Sequence, residues 1–402
     1  MNRVSGHVSH IKCSWLETAA VVSLAIFLQG MLVWQFVARD FMVGSRGLVV
    51  GAVVIALNGA IAIKRGFHVS QRLLLMLLFL AASVLILLAS LYRYNPSAYG
   101  LWKTQGFALY AVMPSLWILW NHRGRPAYSQ LLLRWMTILA VIPLFLPLLL
   151  LEEVGGASIR WVLLTLDYDV IGISRSLGIG CLLALAFAGL NRGWPRVLLV
   201  LYALVLLYAQ ILIGERGPIL ALIVGLCVWM RGYLRVSPYV KRGGAVSLAL
   251  IVLIALTAIS ALMYVAVQRS SSGHQENRVA IAKQGLDDLT DSPLLGIGTG
   301  RFSFETGAVG TRQFAHNIIG ELLVETGLVG LTVFSGFFSR SWWGGRRQLR
   351  KSVQDLSLNN NASALFAFSV TAAMVSGDLT TNYMVWVSQS MLFVARNNGG
   401  RR

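Results

Sequence analysis

Charge is scarce in this chain. Only 12% of its 402 residues are Asp, Glu, Lys or Arg, against roughly 25% in a soluble domain. That shortage excludes an ordinary soluble build and points to a membrane protein. Acid is scarcer than base, with 16 acidic residues against 34 basic ones and a net charge of +18. Such a balance can serve nucleic acid, but here the basic residues sit in short loops between apolar runs, so membrane topology is the simpler reading. Cysteine is nearly absent. Cys13, Cys181 and Cys227 have no metal-ligand spacing and imply no disulfide framework. The first apolar run lacks a small-residue cleavage site and reads as an uncleaved helix rather than a signal peptide. No segment reads as a separate soluble domain, so a single integral membrane domain over 1–402 is expected.

What is present is apolar length. A spanning helix takes about 20 mostly apolar residues. Runs of that kind lie near 15–38, 47–63, 73–92, 106–120, 131–151, 174–190, 195–213, 217–236, 245–267, 317–338, 361–378 and 382–395. They predict an all-α polytopic membrane protein of about twelve transmembrane helices. Trp102, Trp120, Trp161, Trp194, Trp342 and Trp343 mark run ends, as interfacial belts do. With the N-terminus in the cytoplasm, 22 of the 34 Lys and Arg residues fall on the cytoplasmic side. The positive-inside bias therefore puts both termini there.

One loop is long. Residues 268–315 lie on the outer side between the ninth and tenth runs, and loops of that length are usually functional or disordered. Its helical spacing predicts a helix over 277–289, with Val279, Ala282, Leu286 and Leu289 on its packed face. Asn277 is the expected cap, and Asp291-Ser292-Pro293 the expected stop. The glycines at 296, 298 and 300 permit unusual dihedrals, fit no phosphate-loop fingerprint, and by themselves signal a turn. No broken helix or paired repeat is legible.

Candidate chemistry gathers on the outer side. Of six histidines only His274 and His316 face outward. His316 opens the tenth helix, where the dipole favours a neutral ring able to act as base; an interfacial cap is the alternative. Outward cations run against the charge rule, so they invite a reason. Arg216 sits in the tight turn Gly214-Glu215-Arg216-Gly217-Pro218, held near the surface, where a guanidinium fork suits phosphate; an ion pair with Glu215 is the alternative. Arg278 begins the loop helix, and Arg269, Arg301, Arg312 and Asn317 are secondary candidates. Lys103 is another outward cation. Glu321 and Glu325 stack below Asn317 at i, i+4 spacing; they invite an arginine partner or a proton relay. Asp167-Tyr168-Asp169 is a D-x-D pair of a kind that can hold a metal, but the pattern is short and no other metal-ligand cluster exists, so no metal and no cofactor are expected.

His316-Asn317 followed by nine residues and Gly327-Leu328-Val329-Gly330 resembles the signature of the O-antigen ligase family. Arg278 with Asp291-Ser292-Pro293-Leu294-Leu295-Gly296-Ile297-Gly298-Thr299-Gly300 is similar to a stretch of the wider ligase and polymerase superfamily, with Asp291 where a His is common. Gly214 to Pro218 looks like that family's outer arginine turn. The resemblance implies a GT-C-like fold in a Gram-negative inner membrane, with its active site in the periplasm. It implies transfer of O-antigen from undecaprenyl diphosphate to a sugar hydroxyl of lipid A–core, with inversion. His316 would activate the acceptor, and Arg216 and Arg278 would clamp the diphosphate. Expected partners are those two lipids and membrane lipid, not nucleic acid. An O-antigen polymerase, a protein O-oligosaccharyltransferase and, in another class, a lipid-linked glycan flippase or transporter remain as alternatives.

Overall fold

The computed structural model describes residues 14–34, 59–60, 70–94, 96–122, 125–143, 163, 169–191, 193–236, 274–302, 304–305, 312–313, 317–343, 353–375 and 377–397. Among these the protein is helical apart from one two-residue strand pair. Helix α1 spans Trp15–Trp34 and α2 Gln71–Arg93. Helix α3 (Ala98–Gly106), a π-turn (Phe107–Val112) and α4 (Met113–Asn121) follow one another directly. Pro114 explains the π-turn: it brings no N–H and its ring crowds the preceding turn, which relaxes by widening. Then come α5 (Pro126–Leu139), α6 (Val170–Ala188), α7 (Trp194–Ile213) and α8 (Arg216–Val236). Helix α9 is His274–Asp291, and β1 (Phe304–Glu305) pairs antiparallel with β2 (Arg312–Gln313). Helices α10 (Ile318–Trp343), α11 (Val353–Val375) and α12 (Met384–Asn397) close the order.

Among the described residues four helices are long and apolar enough to cross a membrane: α2, α6, α7 and residues Ile318–Ser339 of α10. The expected runs 47–63 and 245–267 lie outside the described residues, save 59–60. Helix α6 is mostly apolar and buried along nearly its whole length, with Ser174, Arg175 and Ser176 near its start. Its neighbours approach closely because Gly178 faces Phe368 and Gln210, while Gly180 faces Ala140 and Leu206. Helices α8 and α11 form the most extensive pair, α7 packs on α6, α2 on α10, and α12 on α4.

Polar contacts gather the helix ends into two sets. At one end, Arg125 before α5 meets Glu17 of α1 at 2.8 Å, and Arg72 of α2 meets Asn397 of α12 at 3.0 Å. At the other end, Tyr99 of α3 reaches Asp378 before α12, and Arg175 of α6 reaches the Thr381 carbonyl. The second end is the one the charge rule turns outward.

The sequence predicts an unbroken tenth helix, and here the structure differs. Helix α10 breaks at Gly327, where φ is 65° and ψ −168°. A straight helix would join the Leu328 and Val329 amides to the Val324 and Glu325 carbonyls. Both bonds are absent, and the loop after α9 inserts in their place. Ile297 N donates to Val324 O at 2.9 Å and Gly298 N to Glu325 O at 3.1 Å. Leu328 N donates to Pro293 O at 3.0 Å and Val329 N to Leu294 O at 3.1 Å. Helical bonds at the break are thus exchanged for four bonds to the loop. The exchange matters because unpaired backbone groups in hydrocarbon cost several kcal/mol each.

The glycine stretch is therefore more than a turn. A side chain at Gly296 would strike the Glu325 carbonyl, and one at Gly327 would strike that of Leu294. The break is level with the outer end of α2, since Ser90 Oγ donates to Glu325 O at 2.7 Å and Thr299 Oγ1 to Leu87 O at 3.0 Å. That is not the midplane at which transporters break their helices.

The loop helix also differs in its face. Helix α9 begins at His274, earlier than expected, and ends at Asp291 as expected. Among its residues of described burial, Ile281 and Gly285 are the buried ones, packed with Phe302 and Val324. Ala282 and Leu286 of the expected face are exposed.

Candidate functional site

The outer end gathers its polar groups through short turns. Helix α7 ends at Gly214, left-handed at φ 73°, and α8 starts two residues later with Arg216. The turn is as tight as its sequence suggests, and the Arg216 Nε is shielded from solvent. Beside it, Asp169 caps α6: its Oδ1 accepts from Ile171 N at 3.1 Å. Burial raises the Asp169 carboxyl above the usual range, against the pull of the Gly172 and Ile171 amides and of Arg175. Glu215 is within electrostatic reach of Asp169 and Arg175.

Arg175 is a staple rather than a ligand group. Buried in α6, it donates to Thr381 O at 2.9 Å and Ala372 O at 3.4 Å. Gly377 makes room, since a Cβ there would lie 2.9 Å from the Arg175 guanidinium. The turn it holds is self-capped. Asp378 Oδ1 accepts from Thr381 N, and Thr381 Oγ1 accepts from Asp378 N, both at 2.8 Å. Tyr99 donates its hydroxyl to Asp378 Oδ2 at 2.8 Å and stacks on Trp102, with centroids 5.7 Å apart.

Below this layer lies a buried charge cluster. Lys103 donates to both carboxylate oxygens of Glu325 at 2.7 Å and also pairs with Glu321. All three side chains are no more than 3% exposed. The Gly300 amide also serves the Glu325 carboxylate. The partner of the two glutamates is thus a lysine on α3 rather than an arginine. Sequence reading noted Lys103 only as a cation on the unexpected side. That anomaly was the available signal, since its partners lie more than two hundred residues away. Nothing comparable pointed to Tyr99 or Asp378.

The predicted residues fare unevenly. Asn317 caps α10, its Oδ1 accepting from Ile319 N at 2.9 Å and Gly320 N at 3.2 Å. That use leaves its NH2 to donate. His316, which directly precedes it, lies outside the described residues, as do Arg269 and Asp167. Arg278 falls within α9 and Arg312 within β2, with only their backbones described. Arg301 stands over Tyr94 at the end of α2, and Arg216 belongs to α8, which packs on α6 and α11. Among the described residues no three His, Cys, Asp or Glu side chains form a metal-holding group.

The family model described as O-antigen ligase matches residues 201–335. That segment belongs to the O-antigen ligase/polymerase superfamily. The match runs from within α7 to within α10, and so contains Arg216, α9, the inserted loop, Asn317 and the break at Gly327. Neither curated proteins nor solved structures give a match to the chain. Members of this superfamily are glycosyltransferase-like enzymes of membranes. The matched segment supplies the arginine turn and the helix start, while Lys103 of α3 pairs with Glu321 and Glu325 from outside the matched residues.

Proposed function

We propose that the protein is an O-antigen ligase, a metal-independent inverting glycosyltransferase. It moves O-antigen from undecaprenyl diphosphate to a sugar hydroxyl of lipid A–core. The observation that carries this reading is the ligase match over 201–335, which holds every candidate: Arg216, Arg278 and His316, with Arg269, Arg301, Arg312 and Asn317 behind them. The site belongs to a single integral membrane domain with both termini in the cytoplasm and loop 268–315 in the periplasm.

The acceptor oxygen attacks the anomeric carbon as the bond to the diphosphate breaks. His316 takes the hydroxyl proton. The leaving diphosphate gains charge, and the Arg216 and Arg278 guanidiniums stabilise it in a site of low dielectric. The energy resides in the lipid-linked bond, so no nucleotide is consumed. The transporter reading loses support: Glu321 and Glu325 share a buried lysine, and the break in α10 lies near the outer boundary.

The test is transfer by purified protein supplied with undecaprenyl diphosphate-linked O-antigen and lipid A–core in EDTA. Ligated lipopolysaccharide is the expected product. Longer lipid-linked chains with untouched core would make the protein a polymerase, and transfer to a protein hydroxyl an oligosaccharyltransferase. Activity restored only by a divalent ion would return Asp167 and Asp169 to the site.

A further inference from the structure

Glu321 and Glu325 share one ammonium, and the shares are unequal. The Lys103 ammonium has three N–H donors. Glu325 draws on it with both oxygens, each 2.7 Å from Nζ, and the Gly300 amide serves the same carboxylate. What remains of Lys103 is left for Glu321 Oε1, with which it pairs. Glu321 Oε2 is buried and has no hydrogen-bond partner among the described residues. Buried polar atoms in that condition are rare and call for a reason.

The surroundings do not make up the missing positive charge. The charged groups acting on Glu321 are Lys103 on α3, Glu325 one turn further along α10, and Asp378 before α12. The Tyr99 hydroxyl on α3 adjoins them. Asp378 adds to the negative excess, and its own oxygens accept from the Thr381 amide and the Tyr99 hydroxyl. Helices α2, α9, α11 and α12 also pack on α10, and among the described residues they bring no cation to Glu321. A buried charge without compensation is so costly that a carboxylate neutralises instead. A hard metal ion takes about six oxygen ligands, whereas a single oxygen is open here, beside an ammonium. A proton needs only that one oxygen.

We propose that Lys103, Glu321 and Glu325 form a site that binds one proton, with Glu321 Oε2 as its seat. The proton cancels one of the two negative charges. Lys103 and Glu325 then remain as a neutral pair, and Glu325 keeps its hold on the Gly300 end of the inserted loop. Loss of the proton would set Glu321 against Glu325 for the same lysine, and the loop would loosen. This proton is stored in the fold and is distinct from the one removed in the transfer reaction, so the inference does not rest on that reaction.

The test is infrared spectroscopy of the purified full chain in lipid vesicles, with isotope-labelled glutamate. At neutral pH wild type should show the carbonyl stretch of a protonated glutamate, shifted in D2O, and Glu321→Gln should lack it. Glu325→Gln should lose the band as well, because Lys103 then neutralises Glu321 without a proton. Stability gives an independent readout. The folded protein holds a proton that the unfolded chain releases, so the melting temperature should fall as pH rises into the alkaline range. Glu321→Gln should flatten that fall. Amide exchange in residues 293–300, corrected for its intrinsic pH dependence, should quicken over the same range in wild type alone. A folded wild type without the band would overturn the proposal, and so would a band that survives Glu325→Gln at full intensity. Should Glu325→Gln fail to fold, the comparison of wild type with Glu321→Gln decides, and a band common to both would place the proton elsewhere.

Discussion

Lys103 meets two carboxylates where none of the three side chains is more than 3% exposed. Removing one member of a buried ion group leaves the others uncompensated, at about 3–5 kcal/mol. Lys103→Met is therefore expected to lower the melting temperature sharply in detergent, and adding Glu321→Gln and Glu325→Gln should recover most of the loss. A single variant as stable as wild type would show that the cluster does not hold α3 to α10. At the proposed active site, Arg216→Lys should reduce transfer at least tenfold with the fold intact, because an ammonium cannot replace a bidentate fork. His316→Ala should abolish transfer without loss of expression. A His316→Ala protein that ligates at the normal rate would remove the acceptor-activating role.

At the scale of elements, the broken helix and its inserted loop act as one piece. Gly327→Ala would place a Cβ against the Leu294 carbonyl and force an alanine to a positive φ, itself costing about 1–2 kcal/mol. Faster amide exchange is expected in peptides covering 293–300 and 324–330, measured by mass spectrometry. Gly320 is the contrast. It lies on the first half of the same helix with only Asn317 Cβ nearby, at 3.9 Å. Gly320→Ala should leave exchange unchanged and raise stability by up to about 1 kcal/mol. The break was illegible in sequence because Gly327 sits in an apolar run like any other, and its hydrogen-bond partners lie some thirty residues upstream. The face of α9 was misread for a related reason. Its contact point is Gly285, which carries no apolar signal, while Leu286 does and is exposed.

For the whole molecule, length and hydropathy were enough to locate helices, since a membrane asks mainly for apolar runs. Among the described residues the four helices long and apolar enough to cross a membrane fall on runs read in advance, whereas Ala98–Gly106 and His274–Asp291 do not. Charge is the ground for the expected direction, and the polar contacts gather helix ends into two sets. What hydropathy does not contain is pairing between distant helices. Tyr99 with Asp378, Arg175 with Thr381 and Lys103 with the glutamates each join segments more than two hundred residues apart. Single cysteines placed beside either terminus should react with an impermeant maleimide only after the cells are opened. Labelling of one terminus in intact cells would reverse the assigned orientation.

The insertion of the loop into α10 also sets an order of events. Residues 293–298 leave the ribosome before Gly327 does, so when this loop is made its four hydrogen-bond partners do not yet exist. The nascent loop must wait at the outer side while the next segment enters the bilayer. A glycine tolerates both helical and left-handed dihedrals, so α10 can enter as a plain helix and open afterwards. The broken form is thus complete only when the loop has made its four bonds to a segment synthesised after it.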